Sequence, residues 1–155
     1  MLKKIVGTIW RNLSSPVRER IVRATQRKFT VSVAAVIENE NGEVLLLDHV
    51  LRPASGWGIP GGFLGFGEQP IEALRRELRE ETGIELNDVK IFRVRTINRH
   101  LEILFRAKTA GKPAVKSREI NQVGWFRVDA LPAKMNQTQK TIIEKLLNKA
   151  NDSSN

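Results

Sequence analysis

The chain of 155 residues, 41% hydrophobic and 28% charged, has the length and composition of a single globular domain with a substantial core. It contains no cysteine, which excludes disulfides and thiolate metal sites and favours an intracellular location, and no apolar run approaches the ~20 residues of a membrane-spanning helix. The net charge of +9 is uneven, because eight of the 26 Lys and Arg residues lie within residues 1–30, where Glu19 is the only acid.

Residues 3–27 predict two basic amphipathic helical pieces, with Ser15 capping the second piece and Pro16 in its first turn. Apolar residues fall on one stripe of each piece: Ile5, Ile9 and Leu13, then Val17, Ile21 and Val22. We treat residues 1–27 as an N-terminal basic helical extension. Its role stays open between a solvated face, packing on the domain or across a homodimer, and contact of residues 1–28 with nucleic acid or an anionic membrane.

The remainder of the chain, residues 28–150, alternates strand and helix patterns. Runs rich in β-branched residues predict strands at Lys28–Ile37, Glu43–Val50, Trp57–Pro60, Lys90–Asn98, Leu101–Ala107 and Val123–Val128. Helices are expected at Pro70–Thr82, ended by Gly83, and at Thr138–Ala150. Strands interleaved with long helices predict an α/β layered domain with a mixed sheet. The polar residues 151–155 are expected to form a disordered tail.

The segment GGFLGFGEQPIEALRRELREETGI, from Gly61 to Ile84, carries an unusual charge pattern. On a helical wheel of ~100° per residue, a core stripe is expected at Ile71, Leu74 and Leu78. Three glutamates occupy an arc about 100° wide directly beside that stripe: Glu77, Glu80 and Glu81. The like charges therefore point together, at the edge of the packed layer.

Local ion pairs with neighbouring arginines relieve such repulsion by only ~0.2–0.5 kcal/mol each. A divalent cation compensates it better, and oxygen ligands with no Cys or His nearby in the sequence favour Mg²⁺ or Mn²⁺. Glu68 can fold back toward the helix, and a carbonyl near Gly62 can complete the ligand shell. The alternative is a solvated helix face, because several glutamates on a surface helix are common.

The complete string resembles the signature box of the Nudix hydrolase superfamily. Gly62 is followed after five residues by Glu68 and after seven more by Arg76-Glu77-Leu78-x-Glu80-Glu81-x-Gly83-Ile84, so every specified position between Gly62 and Ile84 is filled. An upstream hairpin, the sequence GWGIPGG and a downstream WFRVDALP extend the likeness. The resemblance implies a Nudix-type α/β/α sandwich over residues 28–150.

The same resemblance implies a metal-dependent hydrolase. Such enzymes cleave the diphosphate bond of a nucleoside diphosphate linked to another moiety, with water attacking phosphorus and Mg²⁺ or Mn²⁺ as cofactor, and release a nucleoside monophosphate. By motif position the metal residues are Gly62, Glu68, Glu77, Glu80 and Glu81. The implied catalytic residues are Glu77, Glu80, Arg76 as an orienting partner, and Glu119 in the loop SREINQ, with either Glu77 or Glu119 as the general base.

Substrate and partners stay open at this point. The subfamily residues that mark particular substrates are absent, which leaves a nucleotide sugar, an ADP-ribose-like compound, a noncanonical nucleotide or an RNA 5′ end. The alternatives are an RNA 5′-end pyrophosphohydrolase that uses the basic segment, and a non-catalytic Nudix-fold nucleotide-binding module, which the intact box disfavours. We expect a cytoplasmic bacterial enzyme. His49 and His100 have no partner at ligand spacing and are interpreted as ordinary histidines.

Overall fold

The computed structural model describes residues 2–52 and 56–152, beginning with two helices. Helix α1 spans Leu2–Asn12 and helix α2 spans Ser15–Thr25, with Pro16 in its first turn as expected. The predicted cap at Ser15 is wrong by one position. Ser14 has the extended backbone of the capping residue, and Ser15 is already helical.

The strands and remaining helices follow in the order that the sequence predicts, with β4 and a 3₁₀ turn as elements that were not predicted. They are β1 Thr30–Glu38, β2 Val44–His49, β3 Trp57–Gly58, β4 Gly61–Phe63, α3 Pro70–Thr82, β5 Asn87–Ile97, β6 His100–Lys108, β7 Ile120–Phe126, a 3₁₀ turn Val128–Ala130, and α4 Gln137–Asp152. Of the expected disordered tail, residues 151 and 152 belong to α4, whereas residues 153–155 lie outside the described part of the chain. No helix in the described ranges is long and apolar enough to cross a membrane.

Strand β1 is the centre of a mixed seven-stranded sheet. It runs parallel to β6 and antiparallel to β2 and β4, while β2 also pairs with β3 and β7, and β5 pairs with β6. Successive side chains of a strand point to opposite faces. Val33, Ala35 and Ile37 accordingly pack in the cluster that contains α3, whereas Ala34 and Val36 pack in the cluster that contains α4. This is the α/β/α sandwich expected from the resemblance.

Helix α3 has well-defined ends. Glu72 accepts a hydrogen bond from the backbone N–H of Gln69 at 3.3 Å, which satisfies one donor at the start of the helix. Gly83 ends the helix in the left-handed conformation (φ +75°), and its N–H donates to the carbonyls of Leu78 and Arg79. Glu77, Glu80 and Glu81 thus lie in the second half of a helix with defined start and end.

The core stripe of α3 differs from the predicted one at its first turn and at Glu81. Ile71 is 40% exposed, so its assignment to the core is wrong, whereas Leu74 and Leu78 are fully buried and Glu81 is 6% exposed. On the wheel Ile71 is only about 20° from Leu78 and from Thr82, which are both buried, so its exposure follows from its place in the first turn of the helix. One carboxylate is therefore inside the packed layer and not at its edge.

The different burial of Leu74 and Ile71 predicts that truncating each side chain lowers the free energy of unfolding by a different amount. Leu74→Ala should lower the free energy of unfolding by about 2–5 kcal/mol, because it leaves a cavity in a fully buried site. Ile71→Ala, the matched control, should lower it by less than about 1 kcal/mol, because much of the side chain is already in water. Urea denaturation measures both values, and equal losses would show that the helix is not oriented as described.

Candidate functional site

The site is built where strand β4 passes alongside helix α3. Gly62 pairs with Val33 of β1, and a Cβ atom at Gly62 would overlap the carboxylate of Glu77. Gly61 has φ +153°, and a Cβ there would overlap the backbone of Val33 and Ala34. Backbone atoms require glycine at position 61, whereas a side chain at position 62 would displace the carboxylate of Glu77. The result is a cradle in which the backbone of the loop lies directly against a carboxylate of the helix.

Arg76 joins the loop to the helix through a set of hydrogen bonds. Its Nε and Nη2 donate to the two carboxylate oxygens of Glu68 at 2.8 and 3.1 Å, and Nη2 also donates to the carbonyl of Phe63 at 3.3 Å. Its Nη1 donates to Glu77 at 3.0 Å and to Glu80 at 3.3 Å. One guanidinium therefore contacts three of the predicted metal residues.

The forked contact between Arg76 and Glu68 also fixes their charge states. The hydrogen bond from Arg76 lowers the pKa of Glu68 below its usual value, and the hydrogen bond to Glu68 raises the pKa of Arg76. The second oxygen of Glu68 accepts the N–H of Gly65 at 2.9 Å. Glu68 thereby fastens the turn of the loop to the start of the helix.

Glu81 has a different environment, because its carboxylate is buried. One oxygen, Oε2, has no hydrogen-bond partner within residues 2–52 and 56–152, and the other, Oε1, lies 3.9 Å from Nδ1 of His49. Burial, with the neighbouring charge of Glu77 as the second cause, raises the pKa of Glu81 to about 8. In the absence of a cation, Glu81 therefore carries a proton at neutral pH.

Two polar side chains, one from the last residue of strand β2 and one from just after it, complete the surroundings of Glu81. Burial lowers the pKa of His49 to about 4, with Arg52 as the second cause, so the 3.9 Å contact to Glu81 is not an ion pair at neutral pH. Arg52 donates from Nη2 to the carbonyl of Ile59 at 3.0 Å. Nε2 of His49 and Nη1 of Arg52 are buried without a partner in the part of the chain that the structure describes.

Sequence reasoning missed this pair. His49 was expected to be an ordinary histidine, and Arg52 was not considered. The available signal was the abrupt change from the buried run Val44–Leu47 to polar residues. The expectation that no nitrogen ligand lies near the carboxylates is corrected as well, because the sheet brings His49 next to Glu81 from a distant part of the sequence.

The other predicted residues lie at the exposed side of the cluster. The side chain of Glu80 is 59% exposed and turns toward Arg76. Glu119 is exposed, its carbonyl accepts the N–H of Val50 at 2.9 Å, and its charge contributes to the raised pKa of Glu81. The loop of Glu119 is thus held at the end of β2, beside His49.

Trp57 and His100 have partners away from the carboxylates. Trp57 packs edge-on against Phe126, with 4.9 Å between the ring centres. The ring nitrogens of His100 lie 2.8 Å from the hydroxyls of Thr30 and Ser32, so this histidine is satisfied, as the sequence suggested. Neither residue belongs to the carboxylate cluster by these contacts.

A divalent cation fits the residues present on two observations. Among the described residues the buried Oε2 of Glu81 lacks a hydrogen-bond partner, and the absence of a side chain at Gly62 brings the backbone of β4 next to the carboxylate of Glu77. Carboxylate and carbonyl oxygens are the donors that hard dications prefer. Within the described ranges, no group of three or more acidic or histidine side chains is arranged to hold a metal ion. Glu77 and Glu80 instead pair with Arg76.

The chain was compared with protein families, with individual proteins and with solved structures. A model of the NUDIX domain family matches residues 28–146. A "MutT-like protein" of Streptomyces ambofaciens is 33% identical over 68% of this chain and 69% of its own length. An "RNA pyrophosphohydrolase" of Acinetobacter baylyi is 31% identical over 76% of this chain, which spans only 59% of that relative. The crystal structure of a MutT NUDIX hydrolase from Burkholderia pseudomallei superposes with a TM-score of 0.66 at 28% identity, covering 76% of this chain and 97% of that one.

The burial of Glu81 predicts a specific pH dependence of stability. Its pKa in the folded chain, about 8, lies above the ordinary 4.5, so its favourable contribution is complete below pH 4.5 and is lost as the pH rises through 8. In the presence of a chelator, the wild-type protein should therefore lose stability toward alkaline pH relative to Glu81→Gln. Thermal unfolding between pH 5 and pH 9 measures the difference.

Glu80→Gln is the matched control, because it removes the same charge from an exposed position of the same helix. Its unfolding temperature should fall toward alkaline pH nearly as that of the wild type does, because the charge of Glu80 is the smallest of the causes that raise the pKa of Glu81. Parallel curves for the wild type and Glu81→Gln would contradict the burial of an uncompensated carboxylate.

Proposed function

This chain belongs to the NUDIX family of hydrolases, whose members act on pyrophosphate bonds, and we propose that it hydrolyses a nucleoside diphosphate linked to another moiety. The proposed products include a nucleoside monophosphate. The observation that carries the proposal is the buried carboxylate oxygen of Glu81, which has no hydrogen-bond partner in residues 2–52 and 56–152 and lies near Glu77, whose own carboxylate pairs with Arg76. A diphosphate is itself anionic, so this cluster can receive it only if dications lie between the two.

Mg²⁺ or Mn²⁺ is the proposed cofactor. Glu77, Glu80 and Glu81, with the carbonyl of Gly62 and with Glu68 directly or through water, would hold it. When bound, such an ion neutralises charge on the diphosphate and lowers the pKa of bound water toward neutrality. Carboxylates outnumber the single histidine near the cluster, which favours these hard cations over softer ones.

The protein side chains then have distinct proposed roles. Arg76 orients Glu77 and Glu80, because its Nη1 donates to both carboxylates. Glu77 or Glu119 accepts the proton of the attacking water. Glu119 is supported by its exposure and by its place at the end of β2, where its carboxylate is free to approach a substrate.

A second candidate activity is removal of pyrophosphate from an RNA 5′ end. It is favoured by the printed name of the Acinetobacter relative and by the basic residues of the first 28 positions. The reaction at phosphorus would use the same residues. The two candidate activities therefore differ in their substrate and not in the residues that carry out the reaction. In either case we expect a cytoplasmic bacterial protein, and a homodimer stays a prediction.

The proposal predicts metal-dependent cleavage in a panel of nucleoside diphosphate derivatives and 5′-triphosphorylated RNA. Product analysis by mass spectrometry in ¹⁸O-labelled water should show a nucleoside monophosphate and label on the attacked phosphorus. Glu80→Gln and Glu81→Gln should each lower kcat by at least ~100-fold, a loss typical of an electrostatic catalytic group. Full activity in excess EDTA would exclude the proposed mechanism.

Glu85→Gln is the control for these variants, since it also removes one carboxylate. Glu85 lies shortly after the helix and pairs with Arg79 at the surface. It should keep wild-type kcat. Glu119→Gln distinguishes the two candidate bases: a kcat loss comparable to that of Glu81→Gln assigns the base to Glu119, whereas wild-type kcat assigns it to Glu77.

A further inference from the structure

Helices α1 and α2 present apolar side chains that nothing in the described chain covers. No residue from position 3 to position 30 is buried, and Ile5, Val6 and Ile9 are each more than half exposed. Isolated helices of 11 residues are marginal in water, because the cost of nucleation is spread over few hydrogen bonds. Two such helices with uncovered apolar faces therefore require a covering surface from outside the described chain.

The side chains of α1 divide cleanly between two faces. At 100° per residue, the apolar residues fall within an arc of about 140°: Ile5, Val6, Ile9 and Trp10. Lys4, Thr8 and Arg11 lie on the opposite side, and α1 contains no acidic residue at all. The helix is thus strongly amphipathic, and all of its charged side chains are cationic.

Helix α2 extends the same character. It adds exposed Val17 and Ile21, together with three arginines, and its single acid, Glu19, is already paired with Arg23 at 3.3 Å. The exposed ring of Phe29 follows before β1 begins. The covering surface must therefore accept apolar side chains and many positive charges together.

We propose that α1 and α2 bind the surface of an anionic lipid bilayer, with the apolar arc of α1 buried at the boundary of the headgroups and acyl chains. A lipid surface supplies an apolar layer beneath negative headgroups, which matches both faces of the helix. Tryptophan and lysine beside the apolar arc are the side chains that favour this boundary. The proposal concerns a surface outside the carboxylate site and does not depend on the reaction catalysed there.

Other occupants match only one of the two faces. A second copy of this chain would cover the apolar arc but would bring the two cationic segments together without acids to pair them. RNA would neutralise the charges but offers no continuous apolar layer for Ile5, Val6 and Ile9. The charge and the apolar arc taken together favour lipid.

Sedimentation of the full chain with vesicles tests the proposal, using phosphatidylcholine vesicles with and without phosphatidylglycerol. The wild type should bind only the anionic vesicles. Ile9→Asp should weaken binding by at least about 50-fold, since it loses both apolar burial and one unit of charge. Thr8→Asp, which changes the charge equally on the opposite face, should weaken binding by about fivefold.

Three outcomes would overturn the proposal: no sedimentation with anionic vesicles, equal losses for the two variants, or sedimentation that does not depend on phosphatidylglycerol. Lipid-free light scattering and binding to 5′-triphosphorylated RNA test the rival occupants. A dimer that Ile9→Asp dissociates, or RNA binding tighter than vesicle binding, would also overturn it. Circular dichroism and nucleotide turnover in solution should be the same for both variants, which separates loss of binding from loss of folding.

Discussion

The position of one carboxylate, that of Glu81, is the constraint on which the candidate site depends. It lies on the face of α3 that packs against the sheet, with Glu77 beside it and one oxygen without a partner among the described residues. An uncompensated buried charge costs several kcal/mol, so the side chain holds a proton until a cation arrives. Leu74 and Leu78 keep α3 in place in spite of this cost, because they are fully buried on the same face.

The surrounding structure holds several carboxylates of the loop and of α3 close to one another. Gly61 and Gly62 allow β4 to pass against both β1 and α3, and Arg76 holds Glu68, Glu77 and Glu80 on the exposed side. The acidic cluster and the cationic helices α1 and α2 are therefore two separate groups of charges. The partners that we propose are a cation and a diphosphate for the first and an anionic lipid surface for the second.

Local signals in the sequence were sufficient for the elements but not for the contacts between them. The ends of α3 at Pro70 and Gly83 were predictable because proline and glycine act on their own backbone. The burial of Glu81 and the exposure of Ile71 were not, because a wheel gives the spacing of side chains but neither the width of the face that the sheet covers nor where along the helix the contact begins. His49 and Arg52 reach Glu81 only through the pairing of β2 within the sheet, which no spacing along the chain reveals.

The most direct test of the account is calorimetric titration of the chelator-treated protein with Mn²⁺. The wild type should take up Mn²⁺ saturably. Glu81→Gln should bind Mn²⁺ at least about tenfold more weakly, because the substitution removes the negative charge of one ligand. Absence of uptake by the wild type, or equal affinities for the two proteins, would contradict the claim that a dication compensates the buried carboxylate.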